Sequence, residues 1–437
     1  MLIKFKSFFK EDILSSISSN LVKIIRGPLL AVIIILYLTT DEQGYWYTFQ
    51  SLIVFAIVGD FGISRLIIVV FPEYHVKIKT AKNFGESKKY LSDYSAILFI
   101  YLFIYIVIIV VAAFLLILFI EYFYTDWSNS YLNSWFYCAI AASINLLSSF
   151  SSAALYGSDL VSKKNYFEQI FGIIFTVSAS ILLFLNFKID SLAISIFIGF
   201  FTSHLYLLFS YYKSLKKLYK LFNFKEGIRI LLLTKKLQLN FFTSTILSLY
   251  ISSSLVPFVM KIFDPNLAGK VGLSIFLINS IVTFSLILNY IEYPKIIKLI
   301  NLKKYLNVRN KCIKLLFLIN CFFLLLSFII LTLIFLSPEP IGQYFDRLLP
   351  FTDLLLIFIT QGILMNIGFI AGVVRGFKVE PYWILGIIQI FTTSLLFYFT
   401  MKTNSIRTYL TFDLVLHLLI LLPITVYLGR NQLKKLF

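Results

Sequence analysis

Apolar stretches broken by short polar segments recur along the whole chain, and each is long enough to cross about 30 Å of hydrocarbon. Twelve are expected, at residues 14–38, 47–71, 94–120, 131–156, 166–187, 191–212, 238–260, 271–292, 315–336, 351–374, 382–400 and 408–428. The fifth and sixth runs, and the eleventh and twelfth, are separated by so few residues that either pair is open to a different count. In lipid every backbone polar group must be satisfied within its own segment, so spans of this length are helices. The pattern predicts an all-α polytopic membrane protein with twelve transmembrane helices.

Composition agrees. The chain is 437 residues long, which for a soluble protein would suggest two or three domains. With 59% hydrophobic residues and 14% charged ones it falls far from the roughly one-quarter charged share of soluble domains. The basic start precedes an apolar run, as in a signal peptide. That run carries Lys23 and Arg26 and has no small-residue cleavage site, so it is expected to stay as the first span. Three scattered cysteines and three scattered histidines suggest neither a disulfide framework nor a metal site.

The net charge of +18 acquires meaning once it is sorted by side. Twelve spans place both termini on one side. Thirty of the 39 Lys and Arg residues fall in loops on that side, six in the opposite loops and three inside spans. Basic residues collect on the cytoplasmic face. Both termini are therefore expected in the cytoplasm, and no nucleic-acid partner is called for. The opposite loops are short and carry no acidic pair or nucleophile–base arrangement, which favours transport over catalysis.

The longest and most basic loop, 213–237, divides the chain into halves of six spans, 1–212 and 238–437. Two halves joined by a basic linker are a pattern of transporters built from repeats. Gly44 and Gly269 end one turn in each half, Pro72 and Pro294 end the following spans, and their offsets of 225 and 222 are similar. Such residues are common at helix ends, so coincidence remains an alternative. The linker sets Lys213, Lys216, Lys217 and Lys220 beside Leu215, Leu218, Leu221 and Phe222. It reads either as an amphipathic helix on anionic lipid or as a solvated connector.

A charge inside a span is a functional candidate, since it is costly unless paired or wet. Lys23 and Arg26 are three residues apart and share a helix face with Asn20. They lie about 14 and 18 Å from the basic side, and Asp60 on the returning span lies at about 16 Å. Arg65 follows nearer that side. Three cations against one anion suit an anionic substrate, a phosphate or diphosphate above all. The alternative is that Lys23 snorkels while Arg26 and Asp60 form a buried pair. Asn145, Asn240, Asn279, Asn289, Gln361, Asn366 and Gln389 offer hydrogen bonds at membrane depth, either to sugar hydroxyls or between helices. Asp413 and His417, four apart, form either a proton relay or an ordinary buried pair. Glu168 and Asp353 open helices, where the dipole explains them, and Glu292 sits beside Lys295.

These residues carry a family resemblance. Tyr37-Leu38-Thr39-Thr40-Asp41-Glu42-Gln43-Gly44-Tyr45-Trp46 resembles the first outer turn of the polysaccharide branch of the multidrug/oligosaccharidyl-lipid/polysaccharide (MOP, MATE-like) exporter superfamily. Asp60-Phe61-Gly62 is similar to the Asp-Leu-Gly element of its second helix. Asp264-Pro265-Asn266-Leu267-Ala268-Gly269 and Tyr293-Pro294 stand at its seventh-to-eighth turn and the end of helix eight. The turns Gly157…Lys163-Lys164-Asn165-Tyr166 and Arg375-Gly376-Phe377-Lys378 fit as well. The likeness covers nearly the full chain, and the order of the motifs carries it.

The resemblance implies a Wzx-type O-antigen/polysaccharide flippase: two six-helix bundles in a V, working by alternating access. It would move an undecaprenyl-diphosphate-linked oligosaccharide across the bacterial cytoplasmic (inner) membrane, among membrane lipid and beside polysaccharide polymerase or assembly partners. Helices one, two, seven and eight would line a cationic cavity, with Lys23, Arg26, Asp60 and Arg65 near the diphosphate and Asn20, Asn240, Asn279, Asn289 and Asn366 around the sugar. No cofactor is implied, while proton or sodium coupling, through Asp413 and His417, stays open. Lysine at 23 departs from the family's frequent arginine or small residue. The alternative is a MATE-like ion-coupled drug antiporter, which would want buried acids in its first helix. A glycan polymerase would need longer outer loops, and a murein-precursor flippase further spans after the twelfth.

Overall fold

A computed structural model of the chain describes residues 2–55, 59–123, 129–301, 304–336, 345–375, 377 and 382–436. It is helical throughout, with no strand among the described residues. The helices are α1 (Leu2–Tyr37), α2 (Thr40–Phe55), α3 (Ile63–Thr80), α4 (Phe84–Phe123), α5 (Asn129–Gly157), α6 (Val161–Phe184), α7 (Lys188–Tyr219) and α8 (Phe224–Ser253). There follow α9 (Leu255–Ile262), α10 (Pro265–Ser285), α11 (Ile287–Asn301), α12 (Tyr305–Phe335), α13 (Phe351–Arg375), α14 (Trp383–Thr403), α15 (Ile406–Leu416) and α16 (Leu422–Leu436), the last two joined by a π-helical turn at His417–Leu421.

These helices follow the twelve expected spans in order. The second, seventh, eighth and twelfth spans each consist of two helical pieces: α2 with α3, α8 with α9, α10 with α11, and α15 with α16. Among the described residues, nine helices are individually long and apolar enough to cross a membrane. The expected spans outside that set are the first, second and seventh. Within α1, Ile25–Tyr37 is a shorter apolar stretch that carries Arg26.

By packing, the chain forms two compact units, Met1–Lys23 with Phe49–Leu249, and Ile24–Thr48 with Tyr250–Phe437. The tip of the first hairpin thus packs with residues 250–437. In the first unit, α3, α4 and α5 share a core that includes Leu66, Ile67 and Phe71, Tyr101 and Tyr105, and Leu146 and Phe150. Small side chains line the close helix contacts: Ala139, Ala141 and Ala142 on α5, and Ser191, Ala193 and Ser195 on α7, are all buried. Lipid is as apolar as leucine, so membrane helices associate by the close approach that small residues allow. Large apolar residues such as Phe209 and Phe114 face outward instead. In the second unit a cluster of Val374, Tyr382, Leu385, Leu416 and Leu421 ties α13 and α14 to the end of the chain.

The basic linker is largely helical, since α7 runs on to Tyr219 and α8 begins at Phe224. Its apolar face is spent on protein. Leu215 and Leu218 pack on the first unit's core, Phe222 meets Phe99 with ring centroids 5.7 Å apart, and Ser92 and Ser95 donate to the carbonyls of Leu221 and Leu218 (2.9 and 2.7 Å). The carbonyls left over at the end of α7 thereby find donors.

Candidate functional site

The second span breaks where the Asp60-Phe61-Gly62 element lies. Phe61 and Gly62 both adopt left-handed backbone (φ 47° and 73°), and α3 begins at Ile63. The break turns Asp60 toward the new helix. Its buried carboxylate accepts the Ser64 backbone N–H (3.2 Å) and the Ser64 hydroxyl (2.7 Å). Ser64 Oγ also lies 3.0 Å from Tyr105 Oη and 3.1 Å from Ser149 Oγ, which joins α3, α4 and α5. A carboxylate at a helix start meets free N–H groups and the favourable end of the dipole, so this acid is satisfied by local geometry. Phe61 leaves the core and meets Phe242 with centroids 4.9 Å apart. Gly62 backs on α8: a β-carbon there would come within 2.7 Å of Phe242 N and 2.8 Å of Gln238 O.

The other members of the proposed cationic cluster lie on two helices, Lys23 and Arg26 on α1 and Arg65 on α3. Lys23 closes the first unit's N-terminal segment and Arg26 lies in the second unit. Arg26 is partly buried, and so is Arg65 on α3. Lys23 and Asn20 are on α1, with side chains outside the described residues. Within the second unit Gly27 packs against Ser280, its missing β-carbon 2.6 Å from Ser280 Oγ. That contact puts Arg26 and Asn279, the residues just before each, at one α1–α10 crossing. The Asn279 side chain is exposed there. Asn289, on α11, keeps a buried Oδ1 with no hydrogen-bond partner among the described residues. Buried acceptors are rarely left unmade, so Asn289 is an acceptor open to a water or ligand donor. Asn240 is exposed on α8.

Two polar groups knit helices together. Asn366 and Asn320 exchange amide hydrogen bonds (2.8 and 2.9 Å) between α13 and α12. His417 opens the π turn. Its Nδ1 donates to the Asp413 carbonyl (2.7 Å) and lies 3.2 Å from the Asp413 carboxylate, while Gln389 Nε2 donates to His417 Nε2 (2.9 Å). Both ring nitrogens are thus committed in the neutral form protonated at Nδ1. A second proton would meet the Gln389 amide hydrogens until that amide turned over.

At the turn between the first two spans, Thr39 and Glu42 exchange bonds in a reciprocal helix cap: Thr39 N–H to Glu42 Oε2 (2.9 Å) and Glu42 N–H to Thr39 Oγ1 (3.3 Å). α10 begins on the Asp264 carboxylate, which accepts Leu267 N–H (2.7 Å), with Pro265 in its first turn. Gly44 and Gly269 each sit four residues into these helices and meet at the crossing. A β-carbon on Gly44 would fall 2.0 Å from Pro265 O, and one on Gly269 2.3 Å from Thr40 O and 3.0 Å from Gly44 N. Arg347 caps the end of α1, donating to Ile35 O (2.6 Å) and to Leu38 O.

Sequence reasoning missed several of these residues: Ser64, Tyr105 and Ser149 around Asp60, Asn320 opposite Asn366, and Arg347. Single hydroxyls and amides in apolar runs give no local signal of their partners. Asp353, explained by the helix dipole, also accepts from Arg407 Nε (2.7 Å), and Glu168 pairs with Lys164 (2.9 Å). Glu292 pairs with Lys311. The Arg375–Lys378 turn lies partly outside the described residues. No group of three metal-ligating side chains occurs among the described residues, and Cys138, Cys312 and Cys321 are free thiols.

No protein family and no curated protein matches the chain by sequence. Solved structures do match over nearly all of it. An inward-facing multidrug-resistance MATE-family transporter of the MOP superfamily aligns with a TM-score of 0.67 at 11% identity, covering 97% of this chain and 98% of that one. A MOP-superfamily transporter from Pyrococcus furiosus, described as having a binding pocket of reversed polarity that suggests a different function, aligns at 0.58 and 11%, covering 97% and 96%. The lipid II flippase MurJ, in an inward closed conformation, aligns at 0.58 and 16%, covering 96% and 90%. The chain has the fold of these MOP-superfamily membrane proteins, twelve spans in two six-helix bundles.

Proposed function

We propose that this chain is a flippase that carries a diphosphate-linked, lipid-anchored oligosaccharide across the bacterial cytoplasmic membrane by alternating access, with both termini in the cytoplasm. One observation carries the reading. In a fold made of apolar helices, the first two spans carry four charged residues inside them, Lys23, Arg26, Asp60 and Arg65, and the second is broken at Asp60-Phe61-Gly62. Broken helices and buried charge are tolerated at membrane depth where they line a wet, working cavity. The first of these spans bears Lys23 and Arg26 and no acid beyond Asp12. The carboxylate of Asp60 in the second accepts from Ser64, and three cations against this one anion leave the hairpin cationic. Cations of this kind neutralise a diphosphate while the lipid tail stays in hydrocarbon, and the sugar crosses without burying its hydroxyls unpaired. Asn279 and Asn289 are available to those hydroxyls.

The test is to delete the protein and ask on which leaflet lipid-linked oligosaccharide collects. Complete oligosaccharide held on the cytoplasmic leaflet is the expected result; single units on the outer leaflet would instead indicate a missing polymerase. Restoring the strain with Arg26→Ala should lower surface glycan about tenfold or more, as loss of a charged contact to phosphate costs ~1.5–3 kcal/mol, with unchanged protein in the membrane. Normal glycan with Arg26→Ala would overturn a role for Arg26 in holding the diphosphate.

The group of half-buried Asp413 with buried His417 and Gln389 favours a second reading, an ion-coupled drug antiporter in which His417 takes up the coupling proton. It predicts altered drug efflux with intact glycan in the same deletion strain.

A further inference from the structure

We propose that a groove on the second unit holds one acidic phospholipid drawn from the leaflet on the basic side of the protein. The groove lies between α12, α13 and α16 and encloses about 690 Å³, within the roughly 300–1,000 Å³ of ligand pockets. Its walls are hydrocarbon, with Ile313 and Phe317 from α12, Ile370 and Val373 from α13, and Val426 from α16. The amide in its wall, Asn320, is spent on Leu316 O (2.8 Å) and on its exchange with Asn366. A wall without free polar groups fits an acyl chain and has little to offer a sugar.

The groove changes character at one end, where Arg430 lines it. Arg309, one turn before Ile313, lies on the same face of α12. Both arginines are exposed and lie within two turns of a helix end, Arg309 after Tyr305 and Arg430 before Leu436. Neither 304–314 nor 422–436 contains an acidic residue. Guanidinium groups at interface depth beside an apolar slot are complementary to a phosphate headgroup joined to acyl chains. The surrounding bilayer solvates the chains as well as the groove does, so the arginines must supply the selectivity. At the usual worth of a basic residue beside an anionic leaflet, that is about fivefold per arginine, or about 25-fold together.

The site is independent of the flippase reading and is tested without transport. The full chain is purified in micelles containing equal phosphatidylglycerol and phosphatidylcholine, and retained lipid is read by native mass spectrometry. One phosphatidylglycerol should be retained in preference, by about 25-fold. Arg309→Gln with Arg430→Gln should bring the two lipids to parity. Val373→Trp and, separately, Ile370→Trp fill the slot but keep both arginines, and each should expel the lipid from a protein whose circular dichroism is unchanged. Equal retention by the wild-type chain would overturn the proposal, as would a preference that survives the double substitution or the filled slots. Displacement by inorganic phosphate would reduce the site to a headgroup contact, and displacement by undecaprenyl phosphate would assign it to a carrier lipid; either result also overturns it.

Discussion

Among the helix crossings that bring backbone against backbone in the described residues, two do so by different routes. In the second unit, α2 and α10 meet at their first turns through Gly44 and Gly269, both in ordinary helical conformation. Each helix is pinned just before the contact, α2 by the Thr39–Glu42 exchange and α10 by Asp264 and Pro265. In the first unit, α3 meets α8 through Gly62, in left-handed backbone at the foot of a break. The first crossing is a clamp between two well-started helices. The second is a joint, where the chain changes direction and Asp60 caps the new helix. Both rest on three glycines whose missing β-carbons have different neighbours.

The largest effect is expected at the clamp. Gly44→Ala would drive a β-carbon to 2.0 Å from a carbonyl oxygen, and backbone cannot rotate away as a side chain can. Overpacking commonly costs about 1–3 kcal/mol, and this contact belongs at or above the top of that range. Thermal unfolding in detergent should therefore show Gly44→Ala destabilised by about 3 kcal/mol. Because Gly269 meets the same turn, adding Gly269→Ala should cost less than the sum of the two. Additive costs would mean that the two glycines do not share a crossing.

The joint should respond less, and its response should separate into two parts. Gly62→Ala adds a β-carbon 2.7 Å from Phe242 N and 2.8 Å from Gln238 O and places alanine in left-handed backbone, itself a cost of about 1–2 kcal/mol. Gly62→Asn meets the same neighbours, but asparagine tolerates left-handed backbone better than alanine. It should recover about 1 kcal/mol of the loss in the same unfolding measurement. If asparagine is no better than alanine, steric contact alone accounts for the site.

The contrast also marks where the sequence was legible. Span positions and the all-α class follow from apolar run length, because hydrocarbon thickness imposes a scale that every run must meet. The similar offset of Gly44 and Gly269 was visible as well, although nothing local showed that the two would touch. The break at Asp60 was not visible as a break. One glycine inside an apolar run weakens a helix only slightly, and the helix that packs against this break, α8, lies some 180 residues later in the chain. The partners of buried polar groups were hidden for the same reason. Gln389 and His417 are 28 residues apart, Asn320 and Asn366 are 46 apart, and Ser64 meets Ser149 across 85. Pairings at these separations depend on helix rotation, which apolar runs on all faces of a span do not specify.

The smallest effect is the most discriminating, because its sign is opposite. Gly368 lies on α13, six residues after Gly362. A β-carbon on Gly362 would press on the Phe323 ring at 2.9 Å, whereas one on Gly368 would meet nothing within 4 Å. Glycine inside a helix is worse than alanine by roughly 0.5–1 kcal/mol because it has more freedom to lose. Where no neighbour objects, that difference should appear as a gain. Gly368→Ala is expected to raise the unfolding midpoint slightly, and Gly362→Ala to lower it until the phenyl ring turns aside. The two substitutions share a helix, a chemical change and a membrane environment, so only the neighbours of the new methyl group distinguish them. A loss at Gly368 would mean that this exposed face is occupied in the working protein, by lipid or by substrate, and transport measured on the same variant would separate those two occupants.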